Sequence, residues 1–245
     1  MRNLLISLLI CAVIVAILSL TGILNTYEAI VPGIIALIAS YFVLMRRTLK
    51  RVEAIFSQAS KSLSSSPPKL DLAISTIEKA YTFCVWQFGV RSQVDTQIGV
   101  IYFLQQDFKK SLPYLERSLG FGYWLGGAML GVIYYKKKDH ASMRKTFDII
   151  IKRAKKQSLA WNLYAYLLTQ INDRPAAQAL LAIGVKKTKN DPKVAEALLA
   201  VQNNKKINMR SYKEQWYQFH LERPPPQQAF IPGGRVSRIE RRGRW

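Results

Sequence analysis

The stretch from Thr96 to Lys156 repeats itself, and this self-similarity constrains the chain more than any other property. Ile98-Gly99, Tyr102-Phe103, Asp107-Phe108, Ser111 and Leu115 are followed by Leu130-Gly131, Tyr134-Tyr135, Asp139-His140, Met143 and Phe147, an offset of 32 residues (131 − 99). A third copy runs Tyr164-Ala165, Leu168, Asp173-Arg174, Ala177 and Leu181, offset by 34 (165 − 131). A block of this size, repeated in register, stacks copies of one supersecondary unit instead of folding around a unique core.

The residue types state what the unit is. Gly99, Gly131 and Ala165 put a small side chain where a second helix crosses the first, so the two backbones can approach closely. Tyr102, Tyr134 and Leu168 follow three positions later, on the same helical face, and fill the space beside that crossing. Asp107, Asp139 and Asp173 stand in the turns, placed to cap the second helices. Pro175 fits the first turn of a helix, whereas Pro113 predicts that the helix carrying it starts late. Together these residues resemble the tetratricopeptide repeat, over about 70–192. Only Trp161 supplies the early aromatic of that pattern, since Asp95 and Gly127 stand at the equivalent places. Met143 and Ile150 sit where small residues are usual, which predicts looser packing of the second unit on the third. Leu70 to Tyr81 reads as half of a further, degenerate unit, and 192–203 as a capping helix.

The N-terminus is of another kind. Leu4 to Leu24 is uncharged for 21 residues, and Ala29 to Met45 for a further 17. At about 1.5 Å per residue, runs of this length span or nearly span a hydrocarbon layer of about 30 Å. With Asn25 to Glu28 as the turn, and Pro32 expected in the first turn of the second run, they read as a transmembrane hairpin. The alternative is a signal peptide followed by one anchor, but no small-x-small cleavage site precedes a polar start. Arg46, Arg47, Lys50 and Arg51 follow the second run, and the intervening turn has no Lys or Arg. By the positive-inside rule both ends and the repeats are expected in the cytoplasm, on a bacterial inner membrane. The net charge of +21 then lies, as 35 − 14, on the cytoplasmic part. The expected divisions are 1–45 hairpin, 46–69 juxtamembrane helix and Ser/Pro linker, 70–222 repeat domain, and 223–245 disordered Pro/Arg-rich tail. The 46–61 helix either lies on the membrane or leads into the stack. The fold class expected is all-α.

Chemistry is sparse. Two histidines, His140 and His220, and two cysteines, Cys11 and Cys84, are scattered, and no phosphate-cradling glycine motif is present. No enzyme activity and no cofactor or metal is expected. His140 reads as packing and His220 as an exposed helix end. Surfaces remain. The resemblance implies a concave groove lined by first helices, and position by position this brings Phe103, Tyr135, Lys136, Asn162, Tyr166 and Gln170 into it, facing a protein partner's segment. A second surface, on the second helices and the turns after them, is basic: Lys109, Lys110, Arg144, Lys145, Lys152, Arg153, Lys155 and Lys156. The expectation is a membrane-anchored scaffold that docks partner proteins in the groove, and the sequence leaves open whether the chain's own C-terminal helix occupies it. The competing class is an electrostatic binder of anionic lipid. Nucleic acid is the less favoured anion, because no recognised aromatic-and-basic module is visible.

Overall fold

The computed structural model describes residues 1–22, 25–65, 67 and 69–223; the expected tail from 224 onward lies outside them. Among the described residues the chain is all-helical. The helices are α1 (Arg2–Leu20), α2 (Thr26–Leu63), α3 (Leu70–Glu78), α4 (Val90–Leu104), α5 (Phe108–Ser118), α6 (Trp124–Lys136), α7 (His140–Arg153), α8 (Ser158–Gln170), α9 (Arg174–Lys187), α10 (Pro192–Gln202) and the single turn α11 (Glu214–Tyr217). Short 3₁₀ turns occupy Lys79–Phe83 and Met209–Tyr212.

α1 and α2 pack antiparallel, and both are long and apolar enough to cross a membrane. Their approach is set by Gly33, where a Cβ would fall 2.5 Å from Val15 Cγ2 and 3.3 Å from Cys11 Sγ. Leu5, Leu9, Val13 and Ile17 of α1, with Ile34, Ile35 and Ile38 of α2, stay exposed, which leaves a continuous apolar surface uncovered by protein. Asn25 starts α2, its backbone N–H donating to Glu28 Oε2 at 3.3 Å. Because α2 begins at Thr26, Pro32 falls in its second turn and not its first.

α2 runs for 38 residues, about 57 Å, without a break at the charged Arg46-Arg47. Its far half is the first helix of the stack. Val52, Ala59, Leu49, Ile55 and Phe56 pack with Ala73, Ile74 and Ile77 of α3 and with Val90, Val94 and Ile98 of α4. The alternative of a helix on the membrane surface is thereby set aside. α2 and α3 come together on either side of the Ser-Pro stretch, Lys69 N–H donating to the Ser62 carbonyl at 3.0 Å.

The pairs α2/α3, α4/α5, α6/α7 and α8/α9 follow one another, and α10 packs on α8 and α9. The crossings are as tight as the small residues imply. A Cβ on Gly99 would lie 2.6 Å from Leu115, and one on Gly131 would lie 2.4 Å from Phe147. Asp107, Asp139 and Asp173 cap α5, α7 and α9, each Oδ1 accepting the N–H of Lys110, Ser142 or Ala176 at 3.0–3.1 Å. α5 nevertheless starts at Phe108, on time, with Pro113 in its interior; the Asp107 cap and the seating of Leu115 against Gly99 outweigh the one hydrogen bond that proline removes. Met143 and Ile150 are buried. Ile150 fills the space above Gly127, and 34 residues on, Trp161 fills the space above Gly184. The large and small partners have changed helices, so at both crossings a large side chain meets a glycine. In the first unit Asp95 is buried instead, its Oδ1 accepting from the Tyr81 hydroxyl at 2.6 Å and from Arg117 at 3.1 Å. Burial and this carboxylate raise the Tyr81 phenol well above its usual range.

Candidate functional site

The turns inside the pairs explain how the groove ends. In each, one residue adopts the left-handed conformation directly before the capping aspartate: Gln106 (φ 63°), Lys138 (φ 61°) and Asn172 (φ 62°). Asp107, Asp139 and Asp173 N–H groups then donate back to the Tyr102, Tyr134 and Leu168 carbonyls at 2.9–3.0 Å. Asn204 (φ 56°) continues the series 32 residues after Asn172 (204 − 172), but Lys205 follows where an aspartate would cap the next helix. No second helix forms. The chain leaves the stack at this point and turns back over the first helices.

Residues 205–222 lie in the hollow that the resemblance assigned to a partner. Tyr212 is buried, and its hydroxyl accepts from Asn162 Nδ2 at 3.0 Å; the same amide donates to the Lys193 carbonyl at 2.9 Å. Trp216 is fully buried, edge-on to the Tyr166 ring at 4.9 Å, and its indole N–H donates to Glu222 at 3.3 Å. Phe219 is fully buried beside it. The His220 ring lies tilted by 36° to that of Phe103, with centres 5.8 Å apart, while Lys136 Nζ donates to the His220 carbonyl at 2.9 Å. Ile207 and Met209 are buried as well. Of the six groove residues expected, Phe103, Lys136, Asn162 and Tyr166 therefore contact the chain's own C-terminal segment.

Tyr135 and Gln170 are the two that remain open. Gln170 lines a cavity of about 620 Å³ between Tyr166, Arg174 and residues 205–210. It also lines, with Tyr135, a second of about 600 Å³ together with Lys136, Lys138, His140 and Arg144. His220, expected to be exposed, is half-buried in the groove with φ 53°, and its Nε2 has no partner. Burial, aided by the Lys136 charge, lowers its pKa from the usual histidine value. Desolvation likewise lowers Lys136. His140 packs beside Tyr135, ring to ring at 6.4 Å.

The basic residues divide by partner. Lys110 pairs with Asp107 at 3.2 Å and Arg144 with Asp173 at 2.5 Å, which lowers the Asp173 carboxyl below its usual range. Arg153 donates to the Leu119 carbonyl at 2.6 Å and also to that of Gly120. Lys109, Lys145, Lys152, Lys155 and Lys156 are exposed on α5, α7 and the turn after α7. Among the described residues no three His, Cys, Asp or Glu side chains group together to hold a metal.

Sequence reasoning left open whether the chain's own C-terminal helix occupies the groove, and residues 205–222 lie against Phe103, Asn162 and Tyr166. The signal was present: a missing capping residue at Lys205, followed by Tyr212, Trp216 and Phe219 at spacings that place large rings on one side of a short segment. Compared with protein-family models, with curated proteins and with solved structures, the chain matches none.

Proposed function

We propose that this chain is a membrane-anchored protein-interaction scaffold of the tetratricopeptide type, whose groove holds an aromatic-rich segment. In the free chain that segment is its own. α1 and the first half of α2 cross an inner membrane as a hairpin, and the repeats lie on the cytoplasmic side, where Arg46, Arg47, Lys50 and Arg51 emerge. A partner carrying similarly spaced rings replaces residues 207–222, and tethering at the bilayer raises its effective concentration. One observation carries the reading. The hollow is filled by an irregular segment, held through side-chain anchors to Phe103, Asn162 and Tyr166, and not by another repeat helix. A surface that holds one peptide in this manner has the chemistry to hold another.

The test uses the full chain in detergent and a fluorescent peptide of residues 205–223. Wild type should exclude the peptide, because its own segment occupies the site at high effective concentration. The Trp216→Ala/Phe219→Ala variant should take it up, and adding Asn162→Ala should weaken uptake about tenfold, in line with about 1–1.5 kcal/mol for a buried hydrogen bond. About 0.5 M salt should change little, since the Debye length there is about 4 Å. If the double variant keeps its helicity and melting cooperativity yet ignores the peptide, residues 205–222 are a permanent part of the core and the scaffold reading falls.

A second reading rests on the basic surface. Lys109, Lys145, Lys152, Lys155 and Lys156 are exposed, and the chain has few acids to meet them. Attraction to anionic lipid through these residues predicts binding that collapses by orders of magnitude over the same change in salt.

A further inference from the structure

The hairpin and the stack are joined by a polar knot, and the knot carries exposed aromatics with it. The turn between α3 and α4, residues 84–89, abuts the start of α1: Arg2 N–H donates to the Val85 carbonyl at 2.9 Å and Asn3 N–H to the Trp86 carbonyl at 3.2 Å. The buried Asn3 side chain donates to Thr48 Oγ1 at 2.9 Å and Gln87 Oε1 at 3.2 Å, and Gln87 Nε2 donates to the Tyr41 hydroxyl at 2.9 Å. The Arg2 guanidinium lies 5.3 Å from the Trp86 ring centre. Asn3 immediately precedes the first uncharged run, and Tyr41 lies four residues before the end of the second (45 − 41). Both apolar runs therefore end against this one turn.

The next turn along the same edge, residues 119–123, is held beside it. Phe88 and Phe121 meet edge to face at 4.4 Å, and Arg153 grips the Leu119 and Gly120 carbonyls. Yet Val85, Phe88, Phe121 and Tyr123 are 54%, 51%, 62% and 61% exposed. Four large apolar side chains clustered in water at one edge require a cover. Ring systems with an adjacent cation are what a water–hydrocarbon boundary accepts, and the boundary set by the two runs passes through this edge.

We propose that the turns 84–89 and 119–123 seat the repeat stack on the headgroup layer of the bilayer that its own hairpin spans. Phe88, Phe121 and Tyr123 enter the layer, and Arg153 with Lys155 and Lys156 lies among the lipid phosphates. The occupant is lipid, because the surface is continuous with the spans through Asn3, Thr48, Gln87 and Tyr41 and aromatic side chains dominate it. This rests on the reading of α1 and α2 as membrane spans. It makes the edge of the stack part of the anchor and leaves the groove residues free of the bilayer.

The test uses the full chain with Cys11→Ala and Cys84→Ala, reconstituted in nanodiscs of three parts phosphatidylcholine to one part phosphatidylglycerol. A single NBD label is placed at Phe121→Cys, at Tyr123→Cys, at Lys137→Cys in a turn inside a helix pair, or at Ile17→Cys within α1. Labels at 121 and 123 should emit to the blue of the label at 137, and lipids spin-labelled near the headgroup should quench them several-fold more strongly. The label at 17 should be quenched by lipids spin-labelled deep in the acyl chain. If 17 is quenched while 121 and 123 behave like 137, the stack stands clear of the bilayer and the proposal is overturned, with the spans intact. Blue emission at 121 without lipid quenching would mean that protein, such as a second copy of the chain, covers the edge, and that also overturns it. An unquenched label at 17 removes the spans and this surface together.

Discussion

Gly131 shows how little freedom a single position has when two helices cross at contact distance. The Phe147 ring lies where a Cβ would be, 2.4 Å away, so Gly131→Ala forces the ring or the backbone to shift. Overpacking of this kind costs about 1–3 kcal/mol, and the melting temperature should fall accordingly. Adding Phe147→Leu to the same chain should recover part of the loss, whereas a loss caused only by glycine's backbone freedom would show no such rescue. His220 is sensitive in a different way. Its pKa is lowered in the folded chain by burial and by the nearby Lys136 charge, so the folded state favours the neutral ring. The stability this contributes is full above the ordinary histidine value of about 6.5 and declines as pH falls below it. Thermal melts at pH 7.5 and 5.5 should show that decline, and His220→Gln should reduce it. An unchanged pH dependence in the variant would exclude His220 as its source.

Among the elements, residues 205–222 differ most from what their composition suggests. The pattern reads as a last amphipathic segment closing the repeat domain. The result is a 3₁₀ turn, one turn of helix, and several side chains buried in a hollow made by α4, α6 and α8. The segment's seat in the hollow is therefore tertiary, while its own backbone hydrogen bonds, such as those from Trp216 and Tyr217 N–H to the Lys213 carbonyl, close only single turns. Trp216→Ala, which removes a fully buried indole, should cost about 3–5 kcal/mol or the whole docking energy of the segment, whichever is smaller. Limited trypsin treatment should then cut after Arg210 and Lys213 much faster than in wild type, while α4 to α9 stay resistant. Equal cutting rates would mean that the indole is not an anchor. α5 makes the opposite point, because Pro113 in its interior is tolerated where cap and crossing are both good.

For the whole molecule, the consequence lies in how the two halves are joined. A serine-proline linker suggests a domain swinging below its anchor. Instead α2 is continuous from the apolar run into the stack, and the Asn3–Thr48–Gln87–Tyr41 hydrogen bonds tie the other end of the hairpin to the same place. Spin labels on α1 and α10 should therefore report one narrow distance distribution. Gln87→Ala leaves the buried Asn3 amide short of a partner, a cost of about 1–3 kcal/mol, and should broaden that distribution. Orientation is a separate question, answered by protease added outside spheroplasts: the proposed topology requires the repeat domain to survive.

The order of small and large residues was enough to find the helix pairs, their turns and the capping aspartates, because those features depend on neighbours within one repeat. Two uncharged runs were enough to mark helices of membrane-crossing length for the same local reason. The buried Asp95 and the exchange of Ile150/Gly127 for Gly184/Trp161 involve residues 14 to 23 apart, yet they depart from the repeat pattern, and the burial of Trp216 against Tyr166 joins residues 50 apart (216 − 166). Whether the groove stands open or filled depends on a segment 50 to 117 residues from its walls (216 − 166 for Trp216 to Tyr166, 220 − 103 for His220 to Phe103). Only packing in three dimensions decides that, because an apolar ring is buried wherever a matching hollow lies within reach, and the sequence does not show what lies within reach.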